Sequence, residues 1–164
     1  MIASLVSPYG DILSKLVGVG FNEWKENKRF QDLTAIARES LLRELKFNIE
    51  LIDEIKKETT GNEIIPLVVQ RLSTETFDRL VSADIPLGRM FDKKIETDFW
   101  GDFKLDQRDS NNVDGIKTNS DLLDRAYHRM KIFIIRVELG IDRTRLDYLR
   151  LLLHAAEVSL KQHL

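Results

Sequence analysis

Residues 25–59 read KENKRFQDLTAIARESLLRELKFNIELIDEIKKET, with neither Gly nor Pro inside the run. Phe30, Leu33, Ala37, Leu41, Leu45, Ile52 and Ile55 recur at steps of three, four and seven, the spacing of one face of a helix. The spacing predicts a single long helix over Asn27–Thr59. Further apolar lines (Ile36, Leu42, Ile49; Phe47, Leu51) widen the face beyond a two-helix seam, which places this helix centrally, touched by more than one neighbour. Asn48 interrupts the seam and is expected to be a hydrogen-bonded core residue that fixes register. Lys56 and Lys57 suit the negative end of the helix dipole, and Gly61-Asn62 supplies a stop signal.

The chain of 164 residues is long enough to bury a core and is expected to be one domain, 1–164. Apolar content of 43% and charged content of 32%, with three prolines, suit a helix-rich chain. The absence of Cys removes disulfides and thiolate chemistry and fits a reducing compartment; with no signal-peptide or membrane-spanning pattern, the expected location is cytoplasmic. A net charge of −2 argues against a general polyanion-binding surface.

Elsewhere the pattern is also helical. Ser7-Pro8 opens an amphipathic stretch through Tyr9, Ile12, Leu13, Leu16 and Val17, weakened at Gly18 and Gly20. Residues 63–84 read as two short helices, the second begun by Ser73 with Thr76 or by Thr74 and ended at Asp84-Ile85-Pro86. A short turn over Leu87–Phe91 follows. Residues 92–117 hold seven Asp/Glu, two glycines and the run Asp109-Ser110-Asn111-Asn112, and are expected to form a long, irregular acidic loop. Thr118 to Asp121 caps a helix running to about Leu139, ended by Gly140. Asp142 is the expected cap of a last helix over Arg143–Gln162, closing an αα-hairpin. The expected fold is all-α: an antiparallel helical bundle of about four main helices, two short helices and one long acidic loop.

Templates for chemistry fail one by one. His128, His154 and His163 do not supply the paired Glu-x-x-His units of a di-iron bundle, so neither a metal site nor a cofactor is expected. The loop aspartates miss the EF-hand rhythm, and no phosphate-cradling glycine motif or serine-nucleophile signature is present. Two constellations remain. Phe99, Trp100 and Phe103 concentrate aromatics in the acidic segment, either pinning it to the bundle or offering a partner-binding patch. Arg125, His128, Arg129, Arg150 and His154 could contact phosphate or RNA, with Arg steadying the phosphate and His moving protons. The HEPN group of helical-bundle ribonucleases places its His further beyond its Arg. Here three residues separate Arg150 from His154, and Leu151 stands where a polar residue is usual, so that motif is not met.

The favoured expectation is a non-enzymatic interaction or scaffold module that acts through a homo-oligomer or a protein partner. An Arg/His nuclease and a bundle sequestering a small apolar ligand are the alternatives.

Overall fold

The computed structural model describes residues 28–57, 64–83, 85–140 and 146–162. Within the quoted stretch, Lys28–Lys57 forms one helix, α1, with Lys56 and Lys57 in its last turn. There follow α2 (Ile64–Val69), α3 (Glu75–Ser82), α4 (Leu87–Met90), a 3₁₀ turn (Phe99–Asp102), α5 (Gln107–Val113), α6 (Asn119–Glu138) and α7 (Leu146–Lys161). The described residues contain no strand, only an isolated bridge between Lys94 and Thr118. The fold is all-α. The N-terminal helix expected near residues 8–17, the Gly61-Asn62 stop and the Asp142 cap lie outside the described residues.

Three long helices carry the bundle, and α7 packs along both α1 and α6. Side-chain ties give the directions. Arg150 bonds Asp53 while Lys56 pairs with Asp147, so numbers fall along α7 as they rise along α1. Ser159 bonds Asn119, while Arg129 lies 5.8 Å from the centre of the Tyr148 ring, the same inverse relation between α7 and α6. Helix α7 therefore runs antiparallel to both neighbours. The core is lined by Leu41, Leu45, Ile52 and Ile55 of the expected face of α1, with Leu123, Ala126, Tyr127, Met130 and Phe133 of α6 and Leu149, Leu152, Leu153, Ala156 and Leu160 of α7.

The short helices α2 and α3 close the side of the bundle away from α7, contributing buried Ile65, Val69, Phe77 and Leu80. The Ser/Thr cluster caps the start of α3 only in part, the Ser73 hydroxyl accepting from the Glu75 N–H at 3.3 Å. Thr74 occupies the cap position, but its hydroxyl donates to Asp78 Oδ2 at 2.6 Å instead of serving the backbone. The next two amides are capped from α1. Glu44, 7% exposed, accepts from the Thr76 N–H at 2.8 Å, the Phe77 N–H at 3.4 Å and the Ser73 hydroxyl at 2.9 Å. The Tyr127 hydroxyl of α6 donates to the same carboxylate at 2.8 Å. One turn along α1, Asn48 is fully buried; it donates to the Ser73 carbonyl at 2.7 Å and accepts from the Ser73 N–H at 2.8 Å. The expected core asparagine is thus a clamp on the α2–α3 corner.

Residues 92–117 are more regular than their composition suggests. Within this expected loop, the run Asp109-Ser110-Asn111-Asn112 lies in α5, where Asp106 accepts from the Asp109 N–H at 2.6 Å and orients the first turn. Val113 and Ile116 are buried, and the Ile95 N–H donates to Lys117 O at 2.9 Å, which ties the two ends of the segment together. At the start of α6, Thr118 accepts from the Asp121 N–H at 3.1 Å while Asp121 accepts from the Thr118 N–H at 2.9 Å, a reciprocal capping box. Beyond the end of α6, Gly140 takes φ 67°, a backbone geometry that side chains disfavour.

Replacing Asn48 by Ala leaves both backbone groups of Ser73 without their protein partner. The expected cost is about 1–3 kcal/mol, read as a lower urea midpoint at unchanged slope.

Candidate functional site

The residues singled out by sequence occupy three separate places. Arg150 is a structural tie: its guanidinium grips the Asp53 carboxylate of α1 through Nε and through Nη2, the latter at 2.8 Å. The hydrogen bond from Arg150, followed by its charge, holds the Asp53 carboxyl below the ordinary carboxylate range. His154, one turn along α7, places Nδ1 3.3 Å from Glu157 Oε2. Glu157 is buried and also accepts from Lys161 at 2.6 Å. Burial by itself would raise the Glu157 carboxyl, but the hydrogen bonds from Lys161 and His154 outweigh it and hold the group low.

The aromatic trio meets this end of α7. Phe103 stands edge-on to His154 at 5.9 Å between ring centres. Phe99 lies 5.1 Å from Trp100 in a T-shaped contact and 5.3 Å from Phe103, and Trp100 lies 5.7 Å from Phe103. All three rings are half-buried and pack against the core. They anchor the 3₁₀ turn to the bundle while leaving part of each ring in solvent.

Arg125 and His128 lie elsewhere, in a groove of about 550 Å³ between α3 and α6. Phe77, Val81 and Ile116 give it apolar walls; Asp121, Asp124, Arg125, His128 and Lys131 charge its α6 side. Phe77 stacks on Tyr127 at 4.3 Å with rings 7° from parallel, and Lys131 bonds Asp78 beside the Phe77 ring. Arg129, one residue beyond His128, turns to the opposite side and lies against Tyr148 of α7. Arg125 and His128 therefore share a groove that Arg150 and His154 do not line, and Arg129 belongs to the packing between α6 and α7.

What the sequence reading passed over is the outer row of α6 beyond this groove. Ile132, Ile135 and Leu139 follow one another at steps of three and four. Ile132 is half-buried, Ile135 is 53% exposed and Leu139 is 68% exposed. Their signal was present as a second apolar line beside the inward row, outweighed by the stronger inward one. Among the described residues no group of three or more His, Asp or Glu could hold a metal ion, and no helix is long and apolar enough to cross a membrane.

Three hydrogen-bonded carboxylates give the fold an acid limb. Asp53, Asp78 and Glu157 all lie below their ordinary values, Asp78 because hydrogen bonds from Lys131 and Thr74 overcome its burial. A depressed carboxyl contributes its full stability above the unfolded-state pKa, about 4, and loses it as pH falls through the folded value. Urea midpoints are therefore expected to show no loss from these groups between neutral pH and about pH 5, then to drop below about pH 4. Asp53→Asn should be less stable at neutral pH and show a shallower acid decline.

Compared with known proteins, the chain matches no family model, no curated protein and no solved structure.

Proposed function

We propose that this protein is a non-enzymatic interaction module that associates through the outer face of α6, with a second copy of the chain as its first partner. The observation that carries this reading is the stripe of exposed Ile135 and Leu139 with half-buried Ile132. Three apolar side chains at helical spacing on one solvent-facing row have the pattern by which one helix docks on another. Exposed Arg136 and Glu138 flank the stripe as a polar rim. Along the same row, toward the start of α6, lies the groove walled by Phe77 and Val81, the latter 49% exposed. The stripe and groove together offer an apolar track bordered by charges of both signs, suited to an amphipathic helix. The half-exposed rings of Phe99, Trp100 and Phe103 are a secondary contact candidate on the far side of α7.

No observation favours the nuclease reading. Of its residues, Arg150 is engaged by Asp53, His154 by Glu157 and Phe103, and Arg129 by Tyr148. Both cavities described for this structure have charged walls, which gives the apolar-ligand reading no support either.

Sedimentation velocity over a range from about 1 µM to 1 mM, the span of Kd from about 8 to 4 kcal/mol, tests the proposal. The expected result is concentration-dependent dimerisation that Ile135→Glu with Leu139→Glu abolishes, with the melting temperature of the monomer unchanged because both positions are solvent-facing. A protein that remains monomeric throughout this range, or a dimer indifferent to the double substitution, overturns self-association through α6.

A further inference from the structure

The outer face of α6 carries a charge pattern beside its apolar one. Ile132 and Leu139 lie two turns apart on one row, with Ile135 between them. Lys131 and Glu138 are spaced in the same way and form a second row, on the flank of the stripe nearest α3, where Lys131 bonds Asp78. Arg136 lies on the other flank, in line with Arg129, which leans on Tyr148 of α7. An ammonium has three donors, and the Lys131 side chain stays 44% exposed, so its tie to Asp78 leaves room for a second carboxylate. Arg136 and Glu138 are exposed and enter no ion pair among the described residues.

Two arrangements bring the stripe of one copy against that of another, and charge separates them. In a parallel pair the two-fold axis runs along the helices and sets opposite flanks together. Lys131 of each copy then meets Arg136 of the other, a like-charge contact made twice. In an antiparallel pair the axis is perpendicular to the helices and sets like flanks together. With that axis midway between Ile132 and Ile135, Ile132 of each copy packs on Ile135 of the other, and Lys131 meets Glu138, an opposite-charge contact made twice. Leu139 then reaches His128 of the partner, at the groove walled by Phe77 and Val81. On the remaining flank Arg136 faces Arg129, whose guanidinium is drawn away onto the Tyr148 ring.

We propose that two copies of the chain pair through α6 in the antiparallel sense, about a two-fold axis between Ile132 and Ile135, with Lys131 of each copy bound to Glu138 of the other. This pairing rests on the docking role proposed above and adds its orientation and register. A patch whose charges answer one another across such an axis fits a second copy of itself, because an isologous interface must be self-complementary.

The chain has no Cys, so one introduced Cys carries one spin label. Asp124 is exposed on the outer row of α6, outside the overlapping segments. At concentrations where sedimentation shows the dimer, labels on Asp124→Cys are expected about 30 Å apart in the antiparallel pair, against about 10 Å in a parallel one, from the helical rise and the usual spacing of packed helices. A second measurement uses charge. Glu138→Lys is expected to weaken dimerisation about tenfold at an unchanged melting temperature, because both contacts turn repulsive. Lys131→Glu, which also loses the tie to Asp78, should weaken it at least as much. An equimolar mixture of the two variants should associate as the unaltered chain does, since each Lys–Glu contact is restored between unlike copies. If Lys131→Glu does not fold, the label separation decides alone. A short label separation, or a mixture no better than its components, overturns the antiparallel register and leaves self-association through α6 standing; a chain that stays monomeric overturns both.

Discussion

A single buried carboxylate joins three helices. Glu44 projects from α1 into the corner between α3 and α6, where it accepts from two backbone amides at the start of α3, from Ser73 and from the phenol of Tyr127. Among the described residues no cation pairs with it; donors and the positive end of a helix hold it instead. Such a group is costly to bury unless its lone pairs are met, and strongly orienting once they are. Burial, with the Glu44 charge beside it, pushes the Tyr127 phenol well above its ordinary range, so the hydroxyl stays protonated and keeps donating.

The rest of the bundle is arranged around this join. With α3 fixed by Glu44 and the preceding corner by Asn48, Phe77 is brought flat against Tyr127, and the two short helices seal the core that α1, α6 and α7 leave open. On the opposite side, α7 is held by apolar packing, with ion pairs at its wet margins. Pairs such as Lys56–Asp147 are largely exposed and contribute little each. Because the inward row of α6 is taken up by Tyr127 and its neighbours, Ile135 and Leu139 of its outward row are left exposed. The same helix therefore provides both the core and the proposed docking stripe.

Much of this was legible in the chain. Helical spacing identified the run of α1, the Thr118–Asp121 cap and the Gly140 stop marked α6, and Asn48 stood out as a polar residue in an apolar seam. Glu44 was not legible as a cap, because the donors it meets lie some thirty residues away and local pattern cannot report a partner on another helix. The Ser/Thr run before α3 supplies a local cap only through the Ser73 hydroxyl, on the Glu75 N–H. Residues 92–117 misled through composition: Asp, Ser and Asn favour turns, yet Asp106 capping and the burial of Val113 and Ile116 suffice for one short helix. Of the candidate site residues, the sequence did not show the company they keep. Arg150 and Arg129 serve packing partners, and which face of a helix an Arg occupies does not say whether an Asp or a Tyr waits opposite it.

Amide hydrogen exchange at Thr76 and Phe77 tests the central role of Glu44 most directly. If the carboxylate holds the start of α3, both amides in the unaltered protein exchange only through large-scale opening. In Glu44→Gln they then exchange much faster, while amides in the middle of α7 remain protected. Fast exchange of Thr76 and Phe77 in the unaltered protein, or protection unchanged by Glu44→Gln, would contradict the account.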